Sequence, residues 1–390
     1  MMERTENCLK KLDRVNKSIR HEEGDRIPVS EMFWLSFIER WREELDLPSD
    51  ADPYKYYDLD WIVTVPNCDP HIKQFEMIKD TEEEQVVRTG FEAVVRHVKG
   101  AQMPYFESFE TDTIEKMLAF EFDDPWDERR FFIEGDNQLA GVSEVITRNS
   151  PSWIDTVKSL YPDIPVYGSA CEVMEQGWRI IGTENLLLWS ALHPEELGGF
   201  LKRVGEFNLE LMKAQYQAAD GLLDGFVIWG DVAYVNGMMF SPDMWREHFK
   251  PSLSEMIEFS HTKGLPVIYH GCGNSTAIWP DLIEIGLDSY NPMEAKAGMD
   301  AIEKRRTFGH DMSFCGNINV MNWADAPLDE LKSEVMIKLN AAKGGGFMPQ
   351  SDHSVPKSVS GERYEFVLNL IKDNGTYPLE LGRWDLPDIS

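Results

Sequence analysis

The side chains best suited to chemistry stand in one short run, His270-Gly271-Cys272-Gly273-Asn274. An imidazole and a thiol one residue apart form an i, i+2 pair, which an extended backbone turns to the same side. Such a pair can hold zinc, which accepts Cys, His and Glu ligands together. A carboxylate, Glu294, follows the next apolar run and can converge on the same ion. The competing reading is plain packing, a core cysteine beside a hydrogen-bonded histidine. Position favours the chemistry. The pair closes an apolar run, Pro266-Val267-Ile268-Tyr269, that has the length and β-branching of a buried strand. Strand ends of that kind carry the sites of α/β barrels.

The elements that must position the pair follow from the hydrophobic pattern. A helical N-terminal stretch over residues 1–24 leads to a first strand near Arg26-Ile27-Pro28-Val29. A helix with apolar Phe37, Trp41 and Leu45 follows, then a strand over 61–65. Between about 70 and 150 the character changes. Two strand-like runs around Thr89-Gly90 read as a β-hairpin insertion on one continuous core, with no linker that would make it a separate domain. Strands are expected again near 164, 225, 265, 287, 307 and 346. Among the helices between them is a long amphipathic one from Pro194 to Asp220. Another starts at Ser241-Pro242, with a serine cap and proline at the first helical position. About eight strands, most followed by a helix, predict a (β/α)8 barrel over residues 1–390. No GxGxxG follows the first strand, which weighs against a dinucleotide fold.

Composition sets the limits. A chain of 390 residues with 42% hydrophobic content can bury a large core. Five scattered cysteines, odd in number, suggest a reduced, cytoplasmic compartment. The charged start lacks the apolar centre of a signal peptide, and no apolar run approaches a membrane span. A formal charge of −30 argues against nucleic acid and anionic membrane surfaces as partners.

The order Asp231, Ser241-Pro242, Phe249-Lys250-Pro251, His270-Gly271-Cys272-Gly273-Asn274, Gly316-Asn317 and Gly344-Gly345-Gly346-Phe347 resembles the uroporphyrinogen decarboxylase superfamily, over about residues 195–370. The resemblance implies one of two chemistries: cofactor-free decarboxylation of a tetrapyrrole, or zinc-dependent methyl transfer to or from a corrinoid. The decarboxylases carry an Arg-Gln-Ala-Gly-Arg-Tyr signature after the first strand. Here that place reads Ser30-Glu31-Met32-Phe33-Trp34-Leu35, an acid and two aromatics in place of arginines that would grip carboxylates. His270 and Cys272 look like the zinc pair of the methyltransferases, and Glu294 falls where those enzymes can offer a carboxylate. The family's last zinc ligand is a cysteine. Here that place is held by Asp352, four residues before Pro356, so the remaining ligand is expected from Asp352 or His353.

An oxygen or nitrogen ligand in place of a thiolate makes zinc a stronger Lewis acid, suited to an ether or phenolate oxygen. The expected substrate wall is aromatic and soft, drawing on Phe33, Trp34, Trp229, Tyr234, Met238, Met239, Phe240 and Trp245, with Asn317 at a strand end. Each of these also has an ordinary packing role open to it. Asp231 and Glu31 are the candidate catalytic acids. Asp231 is equally placed to orient a zinc ligand or to cap a loop. Cys315 reads as a small buried hydrophobe, His310-Asp311 as a surface or loop pair, and Cys171-Glu172 as a strand end facing the mouth.

The expected reaction moves a methyl group from a methoxylated donor, aryl methyl ethers included, to cobalt(I) of a corrinoid. No Asp-x-His-x-x-Gly motif is present, so the corrinoid (cobalamin) is expected on a separate protein, with a small methylated substrate as the other partner and a homodimer as an open state. Two further readings stand beside it: a methylcobalamin:thiol methyltransferase, which the missing cysteine disfavours, and a non-catalytic tetrapyrrole- or corrin-binding protein. A decarboxylase ranks below these.

Overall fold

The computed structural model describes residues 2–101, 103–139, 147–387 and 389. Seven parallel strands form the central sheet: β1 (Ile62–Val63), β8 (Val166–Cys171), β9 (Gly225–Trp229), β12 (Val267–His270), β13 (Ser289–Asn291), β14 (Ser313–Ile318) and β15 (Phe347–Ser351), hydrogen-bonded in that order. The remaining strands, β2 (Glu76–Asp80), β3 (Glu84–Arg88), β4 (Ala93–Val98), β5 (Tyr105–Phe109), β6 (Gly135–Asn137), β7 (Thr147–Ser150), β10 (Ala233–Tyr234) and β11 (Gly237–Met238), lie between these in the chain. Helices separate the parallel strands from β8 onward, among them Val173–Ile181, Pro194–Ala219, Lys250–Thr262, Ala301–Phe308 and Leu328–Lys338. This is the (β/α)8-type barrel that the alternation predicts.

The eighth stave takes an unexpected form. Residues 27–34 are extended but make no regular ladder. On one side Asp60 N donates to Val29 O (2.7 Å) and Ser30 Oγ to Trp61 O (2.5 Å). On the other, Val355 N donates to Met32 O (2.8 Å), Trp34 N to Val355 O (3.1 Å), and Ser351 N to the Glu31 side chain (3.0 Å). Pro28 has no N–H to give a ladder, and side chains supply part of the pairing instead.

Two other expectations are corrected. Thr307-Phe308 ends the helix Ala301–Phe308, and the strand lies further on, at Ser313–Ile318. The Asp300 side chain accepts from Glu303 N and caps that helix, a start signal that outweighs the β-branched Thr307. The insertion is larger than one hairpin. β3 (Glu84–Arg88) and β4 (Ala93–Val98) pair as expected, but β2 (Glu76–Asp80) and β5 (Tyr105–Phe109) extend them to a four-stranded antiparallel sheet. A separate pair, β6 (Gly135–Asn137) and β7 (Thr147–Ser150), follows.

The barrel interior is filled by Met32, Trp61, Tyr167, Val227, Ile268, Cys315 and Met348, with Val15 and Ile19 of the helix Glu6–Ile19 packed against them. That N-terminal helix closes the amino end of the strands, where Gly346 N donates to Ser18 O (2.8 Å). Successive inward positions are two residues apart along a strand. Val227 and Ile268 therefore point the same way as Trp229 and His270, one layer higher toward the carboxyl ends. No helix among the described residues is long and apolar enough to cross a membrane.

Candidate functional site

Parallel register sets the centre of the site. His270 is paired with Trp229 on one side and Asn291 on the other, all at the carboxyl ends of β9, β12 and β13. The loops leaving β9 and β12 then bring Asp231 and Cys272 to the same place. The ligand atoms of Asp231, His270 and Cys272 all lie within 4.8 Å of one another. Asp231 is thus part of the group itself.

Each loop is held by a buried tyrosine hydroxyl. Tyr269 donates to Gly230 O and Tyr290 to Gly271 O, both at 2.7 Å. The Tyr269 hydroxyl passes so close to Gly230 that a Cβ there would fall 2.3 Å from its oxygen, which is why a glycine precedes Asp231. Gly273 has φ +78°, and a Cβ on it would meet the Tyr234 backbone at 2.6 Å. Cys272 N donates to Asp231 Oδ1 (2.8 Å) and Gly273 N to Glu294 Oε2 (2.6 Å), so two carboxylates fix the turn that carries the thiol.

The residues fit zinc. Cys272 Sγ and His270 Nε2 are 3.7 Å apart. Tetrahedral zinc with ordinary Zn–S and Zn–N bonds would separate such atoms by about 3.6 Å. His270 Nδ1 is 2.5 Å from Asn291 Oδ1 and carries the proton of that hydrogen bond, leaving the Nε2 lone pair turned toward Cys272. Burial, then the nearby Asp231 and Glu294 carboxylates, push the Cys272 thiol well above its ordinary pKa. Burial also raises Asp231, against the pull of His270.

The other expected ligands are placed differently. Glu294 is buried and pairs with Lys296 Nζ (2.9 Å) as well as Gly273 N. Asp352 accepts from Ala295 N (2.9 Å) and Val320 N (2.8 Å), one bond to each oxygen, and so ties two loops together. Neither joins the Asp231–His270–Cys272 group. His353 does face the same cavity and stacks on Trp34 at 5.9 Å between ring centroids. Burial, then the nearby His270, lower its pKa and favour the neutral, ligating form.

That cavity, about 480 Å³, opens above the group. Phe33, Trp34 and Trp229 line it as expected, and Trp229 meets the His270 ring edge-on at 4.9 Å. Tyr234, 53% exposed, and Met238 belong to the short hairpin of β10 (Ala233–Tyr234) and β11 (Gly237–Met238) and do not line it. Asn317 is fully buried: it accepts from Ala301 N and donates to Met293 O and Met299 O, bracing the loop after β13. Glu31 is outside the cavity too. Its carboxyl accepts from Met32 N, Ser351 N and Ser351 Oγ, and burial pushes its pKa up to about 8. Its work is to close the barrel.

Several lining residues have no marker in the sequence. Thr64, Asn67, Arg130 and Trp153 come from the segment leaving β1, the insertion and the helix before β8, while Glu175 and Arg179 come from the helix after it. The last two are an i, i+4 acid–base pair just past Cys171-Glu172, the one signal that could have drawn attention. Glu172 itself is fully buried, accepting from Trp245 Nε1 (3.0 Å) with the Tyr269 hydroxyl at 3.3 Å, and burial raises its pKa to about 8. Cys315 is a buried hydrophobe inside the barrel, as expected.

Among solved structures, the fold is similar to a methyltransferase from Methanosarcina mazei, with TM-score 0.63 and 16% identity over 93% of this chain and 98% of that one. An archaeal fructose 1,6-bisphosphate aldolase gives only TM-score 0.24 and 11% identity over 40% and 62%. No curated protein sequence matches the chain. The uroporphyrinogen decarboxylase (URO-D) family matches residues 153–373, more than half of the chain, and with the barrel and its strand-end site in place the protein belongs to that family.

Proposed function

We propose that the protein is a zinc-dependent methyltransferase that takes a methyl group from a methoxylated donor and passes it to cobalt(I) of a corrinoid on a separate protein. The observation that carries this reading is the convergence of Asp231, His270 and Cys272 at a largely apolar cavity. These three side chains would hold zinc, with His353 the better placed of the remaining candidates, because both Asp352 oxygens already serve backbone N–H groups. Bound there, the metal supplies Lewis acidity toward a donor oxygen, which keeps the electron pair of the broken C–O bond. The chain's own part is to bind and orient. Trp34 and Trp229 offer flat faces to a planar donor, and the apolar wall excludes water from the reacting oxygen. Asn291 keeps the proton on His270 Nδ1 throughout.

The test is a demethylation assay on a panel of methoxylated compounds, with a reduced corrinoid protein and zinc-loaded enzyme. Release of the free hydroxyl compound, lost in Cys272→Ala, is expected. A zinc-loaded enzyme that demethylates nothing in the panel sinks the reading. A thiol acceptor is less well served, since the clustered donors include a single sulfur.

A further inference from the structure

The cavity wall holds donors with nothing to donate to. Arg179 is only 9% exposed, and the one described hydrogen bond of its guanidinium runs from Nη2 to Glu175 Oε1 (2.5 Å). Its Nε is buried and has no partner among the described residues. The guanidinium carbon lies 4.4 Å from the centroid of the Trp178 ring, which packs against the group. Trp34 Nε1 and Ser150 Oγ, also on the wall, are likewise buried and unpartnered. No carboxylate or amide oxygen of a described lining residue is left in that state. Buried N–H groups of a charged side chain are costly to leave unpaired, so the cavity is built for a ligand that brings acceptors.

The way the charges pair narrows the ligand further. Arg130 also lines the cavity, and its guanidinium is held by the main-chain oxygens of Asn67, Asp69, Asp123 and Asp124, with no hydrogen bond to a carboxylate. Among the described lining residues two carboxylates, Glu175 and Asp231, accompany the two guanidiniums, and only Glu175 accepts a hydrogen bond from either of them. A planar guanidinium with a free N–H is suited to a carboxylate, more so than an ammonium would be.

We propose that Arg179 is a specificity-determining residue that receives a carboxylate of the substrate, so that the cavity takes a flat aromatic monoanion. This rests on the methyltransferase reading and adds the substrate's charged head to it. Glu175 orients the guanidinium through Nη2 and leaves Nε for the ligand.

The test uses benzoate, which has no methyl group to lose, so binding is read apart from turnover. Tryptophan fluorescence, reporting from Trp34, Trp153 and Trp229 on the wall, would follow titrations with benzoate and with neutral benzamide. Benzoate is expected to bind about tenfold or more tightly than benzamide, the range of one charge-assisted hydrogen bond. Arg179→Gln should abolish that preference, and Arg179→Lys, which keeps the charge but loses Nε, should restore only part of it. The preference should persist in metal-free Cys272→Ala. Benzoate binding no tighter than benzamide in the unmodified protein, failure of both to bind included, overturns the proposal without recourse to any variant. A preference that survives Arg179→Gln, or vanishes with Cys272, also overturns it, the latter by placing the acid group on the metal. If the preference holds and no methoxybenzoate is demethylated, the methyltransferase reading fails alone.

Discussion

His270 Nδ1 lies 2.5 Å from Asn291 Oδ1, its register partner on the next strand. The bond sets which ring nitrogen carries the proton and aims the other at Cys272. Removing it should loosen the ring without dismantling the barrel. Asn291→Ala is expected to lower zinc affinity by about 10- to 100-fold, as loss of such outer hydrogen bonds does. Competition with a zinc chelator measures it.

Metal content separates the ligand candidates. Cys272→Ala and His270→Ala should each lose about one zinc per chain, by elemental analysis after dialysis. Asp352→Asn should keep its zinc yet unfold more readily, by about 1–3 kcal/mol, because one acceptor facing a backbone N–H becomes a donor.

Glu172 makes stability depend on alkali. Burial raises its pKa from 4.5 to about 8, so between those values the folded state holds a proton that the unfolded chain has released. Stability from this group is therefore lost as pH rises through that window and is level above it. Gln in this place can accept from Trp245 and donate to the Tyr269 oxygen, as the protonated acid does. Glu172→Gln should match the unmodified protein near pH 5 and melt higher near pH 9. The slope that remains belongs in part to Glu31 and Asp69, whose pKa values burial also raises.

On the acid side the sensitive group is His21. Burial, with Arg305 and His310 beside it, lowers its pKa from 6.5 to about 4, so here the unfolded chain holds the extra proton. Stability is lost as pH falls from 6.5 toward 4. His21 has φ +57°, which asparagine tolerates. His21→Asn should flatten the melting temperature across that interval.

Two glycines should answer oppositely to alanine. Gly199 lies in the helix Pro194–Ala219 with open space where a Cβ would go, so Gly199→Ala should stabilise by about 0.5–1 kcal/mol. Gly230→Ala drives a methyl group into Tyr269 and should destabilise by about 1–3 kcal/mol while weakening zinc through displaced Asp231. Denaturant melts and zinc titration of the two variants check both signs.

The barrel and the His270–Cys272 pair were legible because both are written locally: a strand as a short apolar run, the pair as i, i+2 neighbours at its end. Glu31, Asn317 and Asp352 stand at strand ends as well, and there the same signal misleads. Their polar groups face backbone N–H and C=O groups of other loops, partners that no local pattern reveals. Arg130, Glu175 and Arg179 were silent for the converse reason. They reach the cavity only through how the insertion and the helix after β8 lie against the barrel, a long-range packing result. Asp231 lay between these cases. Its strand end marked it, but that it joins His270 and Cys272 depends on the β9–β12 register.

The irregular stave has a consequence for synthesis on the ribosome. Glu31 meets Ser351 across 320 residues of chain. The Glu31 segment must wait, unpaired on this side, until the 320 residues leading to Ser351 have emerged. Among the described residues every ladder of the central sheet joins one parallel strand to the next parallel strand in the chain, and the open sheet can assemble in the order of translation. Its two edges cannot seal in that order, because long-range closure comes only after the intervening chain is complete. Truncation before Phe347 should therefore leave a nascent chain that carries a nearly finished sheet and binds chaperones at both open edges.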